Sequence, residues 1–476
     1  MKTQAPILNK NTLVMKFGGT SVGTPDAMSR VVSIVKNEKS NWKNVVVVTS
    51  ALSGVTDALL IMASQEASAD PHTLETMAVE IARKHEDIAR ELVSDPALAR
   101  KALKKVNERL DEVINLCKAI AVLGESTPRV MDTIASSGER MCIALLAAAI
   151  QSAGIKAEAV EATRLIITDD HYMDAHPDFE KTKKNCHEEI LPILQNGSVP
   201  VITGFMAATT SGNITTLGRG GSDYSAALIG AALPADDVWI FTDVNGVMTA
   251  DPRLVPNAVT VPVCSYREVS ELAYYGAKVL HPKTIRPVIE AGIGLRVCNT
   301  FEPENPGTRL VSELTADDNV IKAITTVRNL KLITLEGRGM LGVPGVAAKT
   351  FGTVAKLGTS VPMITQASSE QSICFAVPAD CADVVVEKLT KAFAAEIDQR
   401  DIDRVWATEE VGIVTVVGEG MRSTPGVAGR VCAALGDKKV NVVAIAQGSS
   451  EVAISLVVTA ADLQQALRIL HDLIKK

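Results

Sequence analysis

Two glycine-rich segments that lie far apart in this chain carry residue types that bind phosphate. In the first, a short apolar run ends in Lys16 and leads to Gly18 and Gly19. Glycines let backbone N–H groups approach an anion closely, and a lysine adds a positive charge beside it. The lysine precedes the glycines, so the spacing is not that of a Walker A loop. The pattern indicates a nucleotide near the N-terminus, although a buried strand followed by a tight turn has the same pattern.

The second segment, Thr215–Leu228, interleaves three glycines with Arg219 and Asp223 before an apolar run. Ser222 or Asp223 can cap the helix that this run predicts. A helix N-terminus beside an arginine favours an anionic ligand. The alternative is a polar loop that only caps a helix, but two such segments in one chain favour a phosphate site.

Three short runs of apolar, mostly β-branched residues predict the strands that would position these segments. The runs are Val45–Val48, Val199–Thr203 and Val238–Thr242. Because apolar residues follow one another without alternation, both faces of each strand should be covered, as in a parallel sheet between helices. Ligands of such sheets bind at the carboxyl ends of the strands. Polar or glycine clusters follow four predicted strands, at 16–21, 50–56, 203–204 and 242–246.

The C-terminal third contains an internal repeat. Short motifs that begin at Gly337, Pro344 and Gln366 recur at Gly418, Pro425 and Gln447. The three offsets (418 − 337, 425 − 344 and 447 − 366) are all 81. A single offset indicates a duplicated domain, and each copy predicts the order strand, helix, strand, strand, helix.

The segment Gly337–Gly342 also matches the G-x-G-x-x-G pattern of a dinucleotide site. However, the next predicted strand ends at Gln366 rather than in an acidic residue for a ribose, and the matching segment Gly418–Ser423 lacks the third glycine. The better prediction is a small polar ligand, such as an amino acid, between the duplicated turns and the glutamine and serine of the neighbouring strand.

Composition narrows the class of protein. The 476 residues suggest about three domains. There are 48 Lys and Arg against 55 Asp and Glu, a net charge of −7, so no nucleic-acid partner is expected. No apolar run reaches the ~18 residues of a membrane span, the start lacks a signal-peptide core, and the eight cysteines form no C-x-x-C pair. We expect a cytoplasmic protein with no membrane partner. No metal site is predicted, because the pair His171 and His176 lies in a proline-containing loop.

Six motifs together resemble those of the aspartate kinase family. They are Lys16–Ser21, Ser137–Glu139, Leu217–Asp223, Phe241–Gly246, Thr249–Arg253 and Tyr275–Pro282. The resemblance covers nearly the whole chain. It implies an α/β fold, a parallel-sheet αβα sandwich known as the amino acid kinase fold, followed by two ferredoxin-like βαββα ACT domains.

The implied domains are 1–312 for the kinase, 320–405 for the first ACT domain and 406–476 for the second, whose first strand could come from 320–328. Some relatives continue into a homoserine dehydrogenase. This chain, which stops at Lys476, resembles the monofunctional members.

The resemblance implies transfer of the γ-phosphoryl group of ATP to the side-chain carboxylate of L-aspartate. The product is 4-phospho-L-aspartate, the first intermediate of the pathway to lysine, threonine and methionine. A carboxylate is already nucleophilic at neutral pH, so catalysis must mainly neutralise charge between two anions. By resemblance, Lys16 neutralises the moving phosphoryl group and Asp223 holds Lys16. These two are the implied catalytic residues.

The same resemblance implies the contacts of both substrates. Arg219 would bind the α-carboxylate of aspartate as a fork, and Glu139 would accept its ammonium group. Ser50, Thr56 and Asp223 complete the implied aspartate site. Gly18 and Gly19 would donate backbone N–H groups to ATP, which Mg²⁺ accompanies. The other implied ATP contacts are Lys16, Thr242, Asp243, Met248, Arg253, Lys278 and Val279. Met248 departs from the family, which often has a tyrosine there, although methionine can pack against a base.

The paired ACT domains imply feedback regulation by an amino acid. The two Gln-x-Ser-Ser-Glu segments are most similar to those of threonine-sensitive members, which favours threonine over lysine. The implied effector contacts are Gln366, Ser368, Gln447 and Ser449. Because edge strands pair readily between subunits, a homodimer or homotetramer through the ACT domains is expected.

Two alternative functions stay open. A related amino acid kinase with another acceptor would share the glycine segments but should lack Glu139 in its Ser-Gly-Glu setting. A non-catalytic amino-acid sensor would need only the ACT pair, beside a decayed kinase site. Lys16, Arg219 and Asp223 are all present, which argues against decay.

Overall fold

The computed structural model describes residues 11–276, 280, 282–314, 320–366, 371–448 and 450–474. Their contacts define two compact units. The first lies within 1–247, 262–264 and 279–312, and the second lies within 248–261, 265–278 and 313–476. The first unit therefore differs from the predicted kinase domain 1–312, because two segments of that range pack with C-terminal residues.

Nineteen strands are present in the part of the chain that the structure describes. In chain order they are β1 (Thr12–Phe17), β2 (Asn44–Thr49), β3 (Ala157–Val160), β4 (Ile167–Thr168), β5 (Pro177–Asp178), β6 (Val199–Thr203), β7 (Met206–Thr209), β8 (Ile214–Thr216), β9 (Asp237–Thr242), β10 (Val263–Ser265), β11 (Gly294–Asn299), β12 (Thr308–Val311), β13 (Ala323–Glu336), β14 (Met363–Gln366), β15 (Ser372–Pro378), β16 (Arg404–Ala407), β17 (Val411–Val417), β18 (Ala444–Gln447) and β19 (Ala453–Thr459).

The same described residues form sixteen α-helices. They are α1 (Gly19–Val22), α2 (Pro25–Asn41), α3 (Val55–Met62), α4 (Gln65–Ser68), α5 (Pro71–Leu92), α6 (Pro96–Leu123), α7 (Pro128–Ser152), α8 (Phe179–Gln195), α9 (Gly221–Ala232), α10 (Tyr266–Tyr274), α11 (Pro282–Ala291), α12 (Val346–Ala355), α13 (Ala382–Ala392), α14 (Ala394–Asp398), α15 (Val427–Asp437) and α16 (Leu463–His471).

The first unit is built on an eight-stranded sheet in the order β10-β12-β11-β9-β1-β2-β6-β3. The strands from β11 to β3 in this order are parallel to one another, whereas β12 is antiparallel to β11. Residues 13–15 of β1 and 45–48 of β2 are fully buried, as strands covered on both faces require. The register aligns Phe17 of β1 with Thr49 of β2 and with Phe241 of β9. The predicted parallel α/β sheet is confirmed, and its polar strand ends lie along one edge.

Helix α7 is a core element of this unit. Pro128 occupies its first turn, and the Thr127 side chain accepts the N–H of Val130 to cap it. Within the described residues, α7 alone has the length and apolar composition of a membrane span, but 89% of that apolar window is buried inside the protein. It also carries two buried carboxyl groups, Asp132 and Glu139.

The second unit contains the duplicated arrangement that the repeat predicts. The first copy runs β13, α12, β14, β15, α13, and the second runs β17, α15, β18, β19, α16. Helices α12 and α15 begin at Val346 and Val427, which are 81 residues apart, and the following strands and helices keep the same offset. The predicted pair of βαββα units is confirmed.

The two copies exchange a short strand. Residues Ala323–Val327 of β13 pair with β17 of the second copy, whereas β16 pairs with the later part of β13 in the first copy. The exchanged strands begin at Ala323 and Arg404, again 81 residues apart. Because each copy completes the sheet of the other, the predicted boundary between 405 and 406 falls inside a strand.

Close backbone packing explains Gly337, the first glycine of the Gly337–Gly342 segment. A Cβ atom at Gly337 would lie 2.3 Å from the carbonyl oxygen of Asp401. In the second copy, a Cβ atom at Gly418 would lie 2.2 Å from the carbonyl oxygen of Val320. Real Cβ atoms do not approach other atoms so closely, so these positions need glycine for packing and require no dinucleotide.

Candidate active site

A cavity of about 480 Å³ lies in the first unit, where β1 and β2 end. Six residues that the sequence analysis places in the active site line this cavity: Lys16, Gly19, Ser50, Thr56, Glu139 and Asp223. They come from β1, the loop after β2 and helices α1, α3, α7 and α9. The parallel sheet brings them together because it aligns the carboxyl ends of its strands.

Lys16 and Asp223 form an ion pair inside the cavity. The Lys16 Nζ atom lies 2.6 Å from Asp223 Oδ1, and the two side chains are only 12% and 15% exposed. Lys16 is the penultimate residue of β1, and Asp223 lies in the first turn of α9. Removing one partner of such a pair leaves an uncompensated charge, which is costly at a site with little water. The pair therefore fixes one ammonium group at the edge of the sheet.

Glu139 is the second ionisable centre of the cavity. Its carboxylate accepts the N–H of Phe205 at 2.8 Å and the hydroxyl of Ser222 at 3.0 Å, and the Ser50 hydroxyl donates to Ser222 at 3.0 Å. Burial raises the pKa of Glu139 from 4.5 to about 8, although these hydrogen bonds and the charge of Lys16 act in the opposite direction. A buried carboxyl group of this kind favours a cationic partner.

Two helices begin at the cavity, and glycines cap both. Gly54 precedes α3 with φ of 77°, and Gly220 precedes α9 with φ of 74°. Their N-termini offer backbone N–H groups and a partial positive charge to an anion. The prediction that Ser222 or Asp223 caps α9 is wrong, because Gly220 holds that position and both side chains contact residues of the cavity instead.

Gly18 and Arg219 are two residues of the predicted site that do not line the cavity. The N–H of Gly18 donates to the carbonyl of Phe241 at 3.3 Å, and its implied role toward phosphate stays a prediction. Arg219 is exposed and is not part of the cavity lining, although its neighbours Gly218 and Gly220 are. Its implied role in binding a carboxylate stays a prediction.

The residues implied for ATP are distributed over both units. In the first unit, Thr242 ends β9, and its hydroxyl donates to Asp243 at 3.1 Å. In the second unit, Met248 accepts the hydroxyl of Thr260, and the Arg253 guanidinium binds both oxygens of Asp251. Lys278 and Val279 lie outside the described residues.

The implied effector residues lie at corresponding points of the two copies. Gln366 ends β14 and Gln447 ends β18, and both side chains are exposed. Ser368 and Ser449 lie outside the described residues. The second copy makes one further contact, since Ser450 donates to Glu271 of α10 at 3.1 Å.

Asp132 is a polar residue that the sequence analysis missed. Its buried carboxylate accepts the N–H of Met173 at 2.9 Å and both the N–H and the hydroxyl of Thr216, at 3.1 and 2.7 Å. Burial raises its pKa. Thr216 belongs to the second glycine-rich segment, so Asp132 anchors that segment to α7. Its position seven residues before Glu139 puts both on one face of the helix, which is the signal that could have found it.

Comparison with known proteins places the chain in a family. The profile of the amino acid kinase family matches residues 11–299, and the profile of the ACT domain matches 333–393 and 414–473. Aspartokinase 1 from the chloroplast of Arabidopsis thaliana is 31% identical over 480 residues, which cover 97% of this chain and 79% of that protein. The chain belongs to the aspartate kinase family.

Longer relatives match the same region. The chloroplastic bifunctional aspartokinase/homoserine dehydrogenase 2 of Arabidopsis thaliana is 36% identical over 468 residues, 96% of this chain and 50% of that protein. The chain thus spans about half the length of the bifunctional relatives that it matches. The regulatory repeat is part of the shared region.

Escherichia coli aspartokinase III has the same fold. Its complex with aspartate and ADP superposes with a TM-score of 0.79 at 30% identity and covers 98% of this chain and 100% of that chain. Its complex with lysine and aspartate gives a TM-score of 0.78 at the same identity and coverage. The predicted amino acid kinase fold with ACT domains is therefore confirmed.

Proposed function

We propose that this chain transfers the γ-phosphoryl group of ATP to the side-chain carboxylate of L-aspartate. The observation that carries the proposal is the Lys16–Asp223 ion pair beside the buried carboxyl group of Glu139, in a cavity where two helices begin. This cavity offers a fixed cation and helix N-termini to anions and a carboxylate to an ammonium group. An amino acid with a second carboxylate and a polyphosphate together match that set.

Charge neutralisation is the main task in this reaction. The aspartate carboxylate attacks phosphorus directly, so no side chain has to remove a proton from it. Lys16 can sit between the two approaching anions because Asp223 holds its ammonium group at the end of β1. The N-termini of α3 and α9 add partial positive charge that needs no reorganisation during the reaction.

Glu139 and Ser222 are the residues best placed to select an amino acid. The Glu139 carboxylate can accept the substrate ammonium, and the Ser50 and Ser222 hydroxyls lie in the same hydrogen-bonded chain. Thr56 lines the same cavity from the start of α3. Arg219 would have to turn from its exposed position to bind the α-carboxylate, a movement that its glycine neighbours permit.

ATP with Mg²⁺ is the proposed co-substrate. Within the described ranges, no three His, Cys, Asp or Glu side chains form a group that could hold a metal ion. We therefore expect phosphate oxygens to supply most ligands of the magnesium ion. The solved complex of Escherichia coli aspartokinase III with aspartate and ADP supports this pairing of substrates.

The two alternative functions make different predictions. A kinase for another acceptor would use ATP but would not depend on aspartate, and a sensor would bind an amino acid without turnover. The intact Lys16–Asp223 pair favours an enzyme over a sensor.

Hydroxamate trapping tests the proposal directly. The purified chain, ATP, Mg²⁺ and L-aspartate should give an aspartyl hydroxamate in the presence of hydroxylamine, because an acyl phosphate reacts with that amine. Glutamate and N-acetyl-aspartate serve as matched controls, since the first has a longer side chain and the second has no ammonium group for Glu139. Equal rates with all three acceptors would contradict the proposal.

Feedback by an amino acid is the second part of the proposal, with threonine as the first choice and lysine as the alternative. The family membership and the duplicated Gln-containing strand ends support regulation, and the lysine complex of Escherichia coli aspartokinase III supports an amino acid as the effector class. Inhibition assays with each amino acid separate the two. A ligand acts by binding one conformation better than another, and couplings of about 1 to 3 kcal/mol are typical.

We also propose that the protein is a homodimer or homotetramer in the cytoplasm. Strands β14 and β18 lie beside each other, since the Thr365 hydroxyl donates to the Ile445 carbonyl at 3.4 Å, and they carry exposed apolar residues at corresponding positions, Ile364 (50% exposed) and Ile445 (47% exposed). Exposed apolar residues on two neighbouring strands form a surface that a second copy of the chain can cover. Light scattering of the purified chain would measure the oligomeric state.

A further inference from the structure

The second copy of the repeat holds a segment that lies far away in the sequence. Residues Met248–Val261, here called the nucleotide segment because it carries Met248 and Arg253, belong to the second compact unit. The segment is separated from the C-terminal helix α16 by more than two hundred residues. Its contacts with the second copy are buried and polar as well as apolar.

Thr249 is the centre of the polar contacts. Its carbonyl accepts the N–H of Ile324 at 2.8 Å, and its hydroxyl oxygen accepts the N–H of Val259 at 3.0 Å. The same hydroxyl shares a hydrogen bond of 2.9 Å with Nε2 of His471, at the end of α16. Thr249 is 5% exposed and His471 is 1% exposed. Water therefore cannot easily replace the bond between them.

Apolar packing joins the same two regions. Ala250 and Val255 of the nucleotide segment are buried in one cluster with Val431, Leu467 and Leu470 of α15 and α16. The nucleotide segment thus contributes to the core of the second copy. The segment cannot shift without disturbing that core, because protein interiors are closely packed.

The first copy has no such arrangement among its described residues. Its core cluster is formed by residues of 333–407 only. The residue that corresponds to His471 is Thr390, 81 positions earlier. Thr390 is exposed, and its hydroxyl bonds the carbonyl of Val386 within its own helix. The two copies therefore differ in the segments that pack against them, although they share one fold.

A second buried contact fastens α10 to the same copy. The Glu268 carboxylate, which is fully buried, accepts the N–H of Glu419 at 2.7 Å and lies 3.6 Å from the ammonium group of Lys322. Glu419 follows β17, and Lys322 precedes β13. Two separate segments that precede the repeat are thus bound to its second copy.

We propose that the second copy is the scaffold of the nucleotide segment and that His471 is a positioning residue for ATP binding. The proposal rests on the proposed function, since it takes ATP as the co-substrate. His471 acts through Thr249: it fixes the backbone that leads to Arg253 and needs no contact with the nucleotide. The second copy is therefore required for ATP affinity even when no effector is bound.

Variants of His471 in the full chain test this proposal. In His471→Ala the bond to Thr249 is lost, and we expect the ADP dissociation constant and the ATP KM to rise roughly three- to tenfold. The aspartate KM should change less than twofold. His471→Gln should restore most of the affinity, because a glutamine amide can reach the position of Nε2. Thr390→Ala is the matched control in the first copy and should change none of these constants.

Two measurements distinguish a positioning role of His471 from a loss of the fold. Titration calorimetry with ADP measures affinity without turnover, and thermal unfolding reports the stability of each variant. Thr249→Val should lower ADP affinity at least as much as His471→Ala, because it removes the bond to His471 and also the acceptor of the Val259 N–H. The loss in the double variant should be smaller than the sum of the two single losses, because both single variants lack the same bond. If His471→Ala does not fold, Thr249→Val and His471→Gln give the same comparison.

Three outcomes would overturn the proposal: unchanged ADP affinity in His471→Ala and Thr249→Val, equal losses for both substrates, or a wild-type chain that does not bind ADP. Failure of the proposed function looks different. In that case the wild-type chain binds ADP but forms no aspartyl hydroxamate, and the ADP constants of the variants still decide the role of His471.

Discussion

We expect Glu139→Gln to change the pH dependence of both stability and aspartate affinity. The side chain is fully enclosed between Phe205 and Ser222, and burial raises the pKa of its carboxyl group from 4.5 to about 8. Glutamine has the same shape and cannot ionise. The comparison therefore isolates the charge at this position.

The sign of the stability effect follows from the raised pKa of Glu139. The folded chain favours the protonated carboxyl group, so its contribution to stability is complete below pH 4.5 and is lost as the pH rises through about 8. Each pH unit in this interval changes the balance by about 1.4 kcal/mol. Relative to the glutamine variant, the wild-type chain should lose on the order of 4 kcal/mol between pH 4.5 and pH 8.

Aspartate binding should show the reverse trend. An ammonium group beside Glu139 favours the carboxylate, so binding must release a proton below the raised pKa. The aspartate KM of the wild-type chain should fall about tenfold per pH unit from pH 6 toward pH 8. A charge-assisted hydrogen bond contributes about 1.5 to 3 kcal/mol, so above pH 8 the variant should have an aspartate KM roughly 10- to 150-fold higher. Near pH 6 the two KM values should approach each other.

Urea unfolding at pH 5, 6.5 and 8 measures the first effect, and initial rates of ADP release at varied aspartate measure the second. Glu158→Gln, at an exposed position of β3, is the matched control and should leave both profiles unchanged. Parallel pH profiles for the wild-type chain and Glu139→Gln would refute the reasoning. So would a change of the ATP KM that equals the change of the aspartate KM.

Four further variants test the remaining assignments. Lys16→Met should keep the fold and lower kcat about 10²- to 10³-fold, because one fixed charge at the transferred phosphoryl group is lost. Steady-state rates measure this loss, and near-normal turnover of the variant would contradict the role of Lys16. Arg219→Lys should raise the aspartate KM strongly and the ATP KM little, because lysine cannot form a bidentate pair with a carboxylate; the opposite pattern would move Arg219 to the nucleotide side. Gln366→Ala should weaken inhibition by threonine without lowering kcat in the absence of threonine. Inhibition curves of Gln366→Ala and Gln447→Ala would identify the copy that binds the effector. If neither threonine nor lysine inhibits the wild-type chain, the proposed regulation is contradicted.

Local sequence patterns determined much of this protein. The uninterrupted apolar runs at 45–48 and 199–203 predict buried parallel strands because no solvent-facing residue alternates with the apolar ones. The constant offset of 81 predicts two equal units, since a duplicated sequence carries the same periodicity of apolar positions into both copies. Lys16 lies at the carboxyl end of β1, at the edge of a parallel sheet where ligands bind, and Asp223 lies in the first turn of the helix that the second glycine-rich segment predicts.

Other features were decided only by the tertiary structure. The sequence suggests a cap role for Ser222, but its hydroxyl instead completes the hydrogen bonding of a carboxylate 83 positions away. Residues 323–327 pair with the second copy, within the range 320–328 that the resemblance implies, but the reciprocal pairing of 404–407 with the first copy follows from sheet pairing between copies, which identical local patterns cannot distinguish. The bond between Thr249 and His471 spans 222 positions. Such contacts depend on how separate elements pack, because a residue pattern within one element determines which face is buried but not which distant residue covers it.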